Sequence, residues 1–220
     1  MTSNNPVETT QNTDMLILSS AYLPPVQYFA KLLVEGECLL EQHEHFIKQT
    51  YRNRCVIDSP NGPLSLTVPV EKTGNRSVMK DIRISDHDNW RRQHWQALVA
   101  SYYNSPFFEY YQDDFRPFYE KKWNFLVDFN EEITLKCCDL IDMQPDIKFT
   151  DEYMTGESVK DMRNAISPKN DISADTDFIV TPYYQVFSHK HGFLPNLSIA
   201  DLLFNMGPES LLVLEKCNRI

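Results

Sequence analysis

Two short hydrophobic runs flank a helical pattern near the start of the chain. The run Met15–Leu18 is apolar and is bounded by serine and proline, which predicts a buried strand. Pro24 and Pro25 begin a segment whose apolar residues recur at helical spacing as far as Gly36. A second apolar run, Cys38–Gln42, predicts another strand. Strand, helix and strand within about 28 residues are the proportions of a parallel βαβ unit, and ligands often bind after its first strand.

Hydrophobic and polar residues alternate beyond Tyr51, which is the period of a strand. The segments "RCVID" and "LSLTVPV" are joined by Ser59–Gly62, whose proline and Asn-Gly pair supply the chemistry of a turn. These segments predict an antiparallel hairpin, with Pro69 at the end or the edge of its second strand. The segment "MKDIRIS" predicts a further strand with Ile82 and Ile84 on one side.

Two helical patterns follow. The first starts at Asp88 and ends at Ser105-Pro106, and the second runs from Phe118 to Ile141 and ends at Gln144-Pro145. Both are rich in aromatic residues and predict an antiparallel helical pair that covers the sheet. The predicted fold class is therefore α/β, with a mixed sheet built from an N-terminal βαβ unit and a β-hairpin beneath a long helical pair.

The remaining segments predict one domain with an irregular insertion. Residues 1–14 are polar and predict a disordered lead-in, and residues 15–214 predict a single domain. Residues 151–177 are charged and lack periodicity, which favours a long loop or flap. The segment "FIVTPYYQVF" predicts a strand and "LSIADLLFNM" predicts a helix, in which Ser198 and Asp201 form a variant of the capping box.

Composition narrows the class of protein and its compartment. The chain has 220 residues and a formal net charge of −10, which argues against broad binding of nucleic acid or anionic membranes but leaves a local basic pocket open. Five cysteines without CxxC spacing favour reduced thiols in a cytoplasmic protein. No signal peptide and no apolar run of transmembrane length is visible, so the sequence predicts a soluble protein without a membrane partner.

Familiar catalytic and cofactor signatures are absent, including GxGxxG, GxxxxGK[ST], GxSxG and HExxH. The sequence does not indicate which cofactor, if any, the protein uses. Arg52 and Arg54 flank Asn53, and in an extended chain their guanidinium groups would face one way and could grip a phosphate or carboxylate. The alternative is an exposed arginine pair that balances the acidic surface.

Histidines offer two further candidate sites. His43 and His45 alternate with Glu44, as a metal-binding pair on a strand would, but no third ligand is defined and no metal is predicted. His94 borders the apolar stripe of its helix, so it suits either a buried packing residue or a general base at the lip of a pocket. Asn196 lies before the start of a helix, where backbone N–H groups can receive an anion. Capping is the favoured role of Asp201.

Five segments, in this order, resemble the WbqC-like family of bacterial proteins, in a version similar to that of Bacteroidetes. They are "YLPPVQYFAKLL", "YRNRCVIDSPNGPLSLTVPV", "KDIRIS", "NWRRQHWQALVASYYNSPFFEYY" and "GFLPNLSIADLLFNMGPE". The resemblance implies a role in making or modifying a nucleotide-linked sugar for surface polysaccharides such as O-antigen or capsule. The resemblance indicates the pathway in which the protein acts more closely than it indicates the reaction.

The resemblance also extends to individual residues of this chain that match the family pattern. They are Tyr22, Leu23 and Pro24 after the first strand, Lys31 in the following helix, Tyr51–Arg54, Trp90 with His94 and Trp95, and Leu197–Leu203. This sequence departs from the family pattern at two places. Leu18-Ser19-Ser20 stands where many members have His-Gln-Pro, and Glu41-Gln42 stands where Asp-Asp often ends the second strand.

The sequence thus favours a cytoplasmic enzyme, of transferase type, that acts on an anionic small molecule such as a nucleotide-linked or activated sugar. His94 is the candidate acid or base. The candidate ligand-binding residues are Tyr22, Lys31, Arg52, Asn53, Arg54, Trp90, Trp95 and Asn196. The alternative is a non-catalytic binding or assembly protein of the same pathway with a protein partner. A metal hydrolase built on His43 and His45 is a third hypothesis.

Overall fold

A computed structural model describes residues 15–34, 37–74, 76–155 and 159–219 of the chain. The predicted lead-in, residues 1–14, and the predicted helix end at Gly36 lie outside the described residues. The strands are β1 (Met15–Ser19), β2 (Glu37–Glu41), β3 (Arg54–Ile57), β4 (Leu64–Thr67), β5 (Asp146–Phe149) and β6 (Val159–Asp161). The helices are α1 (Val26–Val34), α2 (Trp90–Tyr102), α3 (Phe108–Glu120), α4 (Leu126–Leu140), α5 (Ser188–His191), α6 (Ile199–Met206) and α7 (Ser210–Lys216).

The predicted βαβ unit is confirmed and forms the centre of a parallel sheet. Strand β1 pairs in parallel with β2, so that Leu18 lies opposite Leu40. The order of the four strands is β5-β2-β1-β6, and all neighbouring pairs are parallel. The chain moves from β1 to β2 and β5 on one side and later places β6 on the other side of β1. The carboxyl ends of β1 and β6 therefore meet where the direction of winding reverses, which is where open α/β sheets bind ligands.

The predicted hairpin is also confirmed, and it forms a separate sheet. Strands β3 and β4 are antiparallel, with Arg54 opposite Thr67 and Ile57 opposite Leu64. Gly62 has a φ of 98°, a conformation that glycine adopts without steric strain, and its N–H donates to the Ser59 carbonyl. Parallel sheet, antiparallel pair and surrounding helices together confirm the α/β class.

Helix α6 is the centre of the helical layer, since it contacts α1, α2, α3, α4 and α7. The predicted helix from Asp88 is confirmed as α2. The second predicted helix, from Phe118 to Ile141, covers the end of α3, a break and then α4, and the first ten residues of α3 lie outside it. Lys121 is extended after α3, and the Trp123 indole N–H donates to the Phe118 carbonyl at 3.0 Å. Phe125 then bridges the backbone of Arg83 before α4 begins. Apolar residues on both sides of this break preserved the helical period in the sequence.

Two predicted strands are wrong. The segment "MKDIRIS" forms a 3-10 turn at Met79–Asp81 followed by isolated bridges, although Ile82 and Ile84 are buried as expected. In "FIVTPYYQVF" Phe178 makes one isolated bridge, and the rest is irregular. The predicted loop at 151–177 contains β6, which adds a strand to the parallel sheet, and a 3-10 turn at Ile172–Ala174.

Candidate functional site

The carboxyl edge of the parallel sheet is closed by a buried ionic network around Glu41. This carboxylate is fully buried and accepts hydrogen bonds from Thr150 Oγ1 at 2.9 Å, Met154 N at 2.8 Å and Arg163 Nη1 at 3.2 Å. Arg163 also donates to both oxygens of Asp161, and this pairing lowers the pKa of that carboxyl. Glu41 thus binds the chain that follows β6 through Arg163.

A groove begins at this edge, and we name it the flap groove. One wall is formed by residues 162–177, the part of the predicted 151–177 segment that follows β6, and we name this part the flap. The inner cavity has a volume of about 280 Å³. Its lining includes Gln27, Tyr51, Val56, Pro63, Ala165, Asn170, Asp171, Leu194 and Asn196. The outer cavity has a volume of about 470 Å³ and shares Gln27, Ala165, Asn170 and Asp171 with the inner one. A small third cavity at the ends of β1 and β6 shares Tyr51 with the inner cavity and Met162 with the outer one.

The flap is fastened to helix α1 by polar side chains. Lys31 is 2% exposed, and its Nζ lies 2.9 Å from Asp175 Oδ1 on the flap. Gln27 Nε2 donates to the other oxygen of Asp175 at 2.8 Å. Asn196 accepts from the Gln27 backbone N–H and donates to the Gln27 side-chain oxygen. Two predicted ligand-binding residues, Lys31 and Asn196, therefore meet at the groove through Gln27 and Asp175.

Arg52 and Arg54 do not form the predicted joint anion grip. Arg52 is 3% exposed, and its Nε and Nη2 donate to the two carboxylate oxygens of Glu44. Arg54 is partly exposed, and its Nε donates to Thr67 Oγ1 at 3.1 Å. Asn53 is buried and donates to the Val68 carbonyl at 2.9 Å. The two guanidinium groups have different partners because Arg52 precedes β3 while Arg54 belongs to it.

His94 lies in a buried aromatic cluster rather than at the lip of a pocket. It is 5% exposed, and its Nδ1 lies 3.0 Å from the Tyr22 hydroxyl, which also bonds Tyr119. Trp90 contacts the His94 ring edge to face, and Trp95 is half-buried against Phe108 and Tyr119. Burial lowers the pKa of His94 to about 4, so the imidazole is neutral at neutral pH. The packing interpretation of His94 thus agrees with its surroundings.

This aromatic cluster is joined to the groove through the backbone of Tyr22. The Tyr22 N–H donates to the Tyr51 carbonyl at 2.9 Å, and Tyr51 lines the inner cavity. The predicted residues Tyr22, His94 and Trp90 therefore support a residue of the groove wall without lining the cavities.

His43 and His45 show no metal geometry. His43 Nε2 lies 3.2 Å from the Thr150 carbonyl, and His45 is exposed. Across residues 15–34, 37–74, 76–155 and 159–219, no three histidine, cysteine or acidic side chains are grouped so that they could hold a metal ion. The geometry gives the metal-hydrolase hypothesis no ligand set.

Asp201 has a different role from the predicted cap. Ser198 does cap α6, since its Oγ accepts from the Ala200 N–H, but the fully buried Asp201 carboxylate accepts from the hydroxyls of Tyr102 and Tyr183. Gln185 Nε2 and Asn205 Nδ2 also donate to it. Burial raises the pKa of Asp201 to about 6, against the opposing effect of these hydrogen bonds. A charge inside the otherwise apolar segment "LSIADLLF" was the sequence signal for this buried role.

Asp58 is a further buried carboxylate, and no local sequence signal marks it. This residue follows β3, is fully buried, and lies 3.2 Å from His191 Nε2. Burial raises the pKa of Asp58, and the nearby His191 opposes that shift. The pair depends on contact between segments that are far apart in the chain, so no local pattern could reveal it.

The fold and the groove define an α/β protein with an open parallel sheet and a ligand-sized groove beside its carboxyl edge. The chain belongs to the WbqC-like protein family, whose sequence model matches residues 19–176. It is also similar to an uncharacterised protein of Mycobacterium tuberculosis, Rv1507c, with 24% identity over 229 residues that cover 92% of this chain and 98% of the relative. No solved structure gives a significant match. None of the helices in the described residues has the length and apolar character needed to cross a membrane.

Proposed function

We propose that this protein binds a nucleotide-linked or activated sugar in the flap groove and acts as a cytoplasmic enzyme of surface-polysaccharide biosynthesis. The family resemblance supports the pathway. The groove supports a small-molecule ligand, because its inner and outer cavities, of about 280 and 470 Å³, are of the size of small-molecule sites.

The lining of the inner cavity is the observation that carries the proposal. It combines the side-chain amides of Gln27, Asn170 and Asn196 with the aromatic ring of Tyr51 and with apolar walls. Amides donate and accept hydrogen bonds with hydroxyl groups, and an aromatic ring offers a flat surface to the apolar face of a sugar. This combination suits a sugar ring better than a fully apolar ligand.

The outer cavity offers a place for the charged part of the ligand. Lys169 is exposed and lines this cavity together with Lys160. Two of the three aspartates in the lining, Asp175 and Asp177, pair with Lys31 and Lys160 respectively. We assign Lys169 as a contact for a phosphate, in place of the buried Arg52, whose guanidinium is engaged by Glu44.

Isothermal titration calorimetry tests the proposal. UDP-glucose, UDP-galactose and GDP-mannose are titrated into the wild type and into Tyr51→Ala and Asn170→Ala. We expect binding of at least one nucleotide sugar by the wild type and an affinity reduced about tenfold in each variant, since each loses contacts worth on the order of 1 to 2 kcal/mol. Arg54→Ala, outside the groove, is the matched control and should bind as the wild type does. Absence of binding heat with all three ligands would remove the proposal.

A non-catalytic assembly protein of the same pathway is the second candidate. It is favoured by the exposed aromatic residues Tyr103 and Tyr110, at 74% and 75% exposure, near the junction of α2 and α3. Exposed aromatic residues are enriched in protein interfaces. Co-purification from native lysate separates the two functions, because a stoichiometric protein partner that is lost in Tyr103→Ala/Tyr110→Ala, without nucleotide-sugar binding, supports assembly.

A further inference from the structure

Asn170 and Asp171, two neighbouring residues of the flap, lie where the inner and outer cavities of the groove meet, since both line both cavities. Asn170 uses its amide nitrogen within the flap, because Nδ2 donates to the carbonyls of Asn164 at 2.7 Å and Ala165 at 3.0 Å. Two carbonyl partners fix the orientation of this amide, since only its NH2 end can donate to them. The side-chain oxygen of Asn170 therefore remains an acceptor without a partner among the described residues.

The Asp171 carboxylate is held by the turn that follows it. Its Oδ1 accepts from the Ser173 backbone N–H at 3.0 Å and so caps the 3-10 turn Ile172–Ala174. Hydrogen bonds from the backbone and the side chain of Ser173 lower the pKa of this carboxyl, so it is ionised at neutral pH. An ionised carboxylate has about four acceptor positions and no donor, so acceptor positions remain for a ligand.

The amides that line the inner cavity from α1 and from the segment before α6 have donors left instead. Gln27 Nε2 donates to Asp175, and Asn196 Nδ2 donates to Gln27 Oε1. These orientations are fixed as well, because Asp175 can only accept and the Gln27 backbone N–H donates to Asn196 Oδ1. Each of the two NH2 groups thus keeps one hydrogen without a partner among the described residues. Gln27 is only 4% exposed, so little of it is open to bulk water.

We propose that the flap groove recognises a vicinal diol at the junction of its two cavities, an inference that rests on the proposed function. A hydroxyl group both donates and accepts, so two neighbouring hydroxyls can satisfy the acceptors of the flap and the donors of Gln27 and Asn196 together. A phosphate is repelled by Asp171 and suits Lys169 in the outer cavity. A nucleotide sugar has a vicinal diol on each side of its diphosphate, one in the ribose and one in the sugar.

Calorimetry on the full chain with Asp171→Asn tests the inference. The substitution keeps one side-chain oxygen for the Ser173 N–H and replaces the other by an NH2 group, which cannot accept a hydrogen bond. We expect the affinity for the nucleotide sugar that the wild type binds, UDP-glucose, UDP-galactose or GDP-mannose, to fall about tenfold or more, because a charge-assisted bond from a hydroxyl is lost. Loss of the negative charge alone would act in the opposite direction, since it favours a diphosphate.

Asp113→Asn is the matched control. Asp113 is an exposed residue of α3 outside the groove, and its substitution makes the same change of charge. This variant should bind the nucleotide sugar as the wild type does. The melting temperature of Asp171→Asn should equal that of the wild type, because the position is exposed and its cap is retained.

Titration of the matching nucleotide, UDP or GDP, shows which diol is bound. An equal loss of affinity for nucleotide and nucleotide sugar assigns the ribose, whereas a loss confined to the nucleotide sugar assigns the sugar. The 2′,3′-dideoxy form of the nucleotide has no diol, so Asp171→Asn should not weaken its binding. If the wild type binds the nucleotide but not its dideoxy form, that result itself supports the ribose.

Each remaining outcome contradicts the inference. Unchanged or tighter binding of the nucleotide sugar by Asp171→Asn overturns the diol site and leaves the proposed function intact. An equal loss of affinity for the dideoxy nucleotide does the same, because the carboxylate would then act on a part of the ligand other than a diol. A wild type that binds no nucleotide sugar overturns both the diol site and the proposed function.

Discussion

Arg52 and Arg54 are two residues apart, but their surroundings give them different roles. The buried guanidinium of Arg52 is paired with the buried carboxylate of Glu44, whereas Arg54 is partly exposed beside Thr67. A buried ion pair contributes little beyond its desolvation penalty, but removing one partner leaves an uncompensated charge. Arg52 is thus a residue on which folding depends.

Arg52→Ala should lower the free energy of unfolding by about 3 to 5 kcal/mol, because the Glu44 carboxylate then remains buried without its partner. Arg54→Ala should stay within about 0.5 kcal/mol of the wild type, as surface substitutions usually do. Urea denaturation followed by circular dichroism measures both. The double variant Glu44→Ala/Arg52→Ala should recover part of the loss, and equal stability of the two single variants would contradict this account.

His94 and Asp201 should give stability opposite dependences on pH. The pKa of His94 is lowered from 6.5 to about 4 by burial, so the unfolded state binds its proton first and stability is lost as pH falls through this window. The pKa of Asp201 is raised from 3.8 to about 6 by burial, so its contribution is present at acidic pH and is lost as pH rises to 6. Each of these two groups changes the free energy of unfolding by at most about 3 kcal/mol.

Urea unfolding between pH 4 and 7 separates the two titrations. In His94→Gln only the titration of Asp201 remains of the two, so the free energy of unfolding should fall as the pH rises. In Asp201→Asn only the titration of His94 remains of the two, so the free energy of unfolding should rise with the pH. If neither substitution changes the slope of unfolding free energy against pH, these two groups do not control the stability of the protein in acid.

At the scale of elements, the flap is held to helix α1 by one charged contact. The Asp175 carboxylate accepts hydrogen bonds from the Lys31 ammonium and from the Gln27 side-chain amide. Lys31 is buried, so its charge depends on this carboxylate for compensation. The contact holds the flap, which is one wall of the flap groove, against helix α1.

Asp175→Ala should loosen the flap and destabilise the protein by a few kcal/mol, about 3 to 5 at most, because Lys31 loses its counter-charge. Hydrogen exchange followed by mass spectrometry should show faster exchange at residues 162–177, with the central strand β1 protected as before. Asn164→Ala, at an exposed flap residue, is the control and should exchange at the wild-type rate. Unchanged exchange in Asp175→Ala would show that the flap is held by other contacts.

The division of α3 from α4 shows where a periodic pattern stops being informative. Phe118, Phe129 and Ile133 are all buried and keep a helical spacing across the break. The break itself depends on Phe125, which bridges Arg83, and on Trp123, which bonds the last turn of α3. Both contacts are tertiary or turn-specific, so the hydrophobic period alone could not place the boundary.

At the scale of the whole molecule, all five cysteines lie within the described residues, are buried, and form no disulfide there. Burial raises the pKa of Cys138 to about 12 and raises that of Cys55 further, and a protonated buried thiol reacts slowly. The thiols therefore belong to the core, in agreement with the prediction of reduced cysteines.

Native protein should show no fast reaction with Ellman's reagent at pH 8, and all five thiols should react after unfolding in urea. The reason is that reaction requires an accessible thiolate, and the folded chain buries each sulfur. Melting temperature should be the same with and without reductant. Rapid labelling of a thiol in the native state would show that the core opens locally.

The flap groove is a property of the whole chain, because its walls come from α1, the hairpin, the flap and the segment before α6. The sequence predicted Asn196 from its position before a helix and Lys31 from the family resemblance, and these residues lie at this wall and behind it respectively. The sequence predicted neither Gln27 nor Asn170 as a groove residue, since nothing in their local sequence distinguishes a groove residue from a surface residue.

The sequence by itself determined the α/β class, the βαβ unit, the hairpin, helices α1, α2 and α6 and the buried state of the cysteines. These follow from local periodicity and turn chemistry, which record the face of each element that is buried. Only the tertiary structure decided that Arg52 pairs with Glu44, that His94 is sequestered with Tyr22, and that Asp58 meets His191. The reason is physical: the role of a charged or polar side chain depends on its partner and its burial, and both are set by residues far away in the chain.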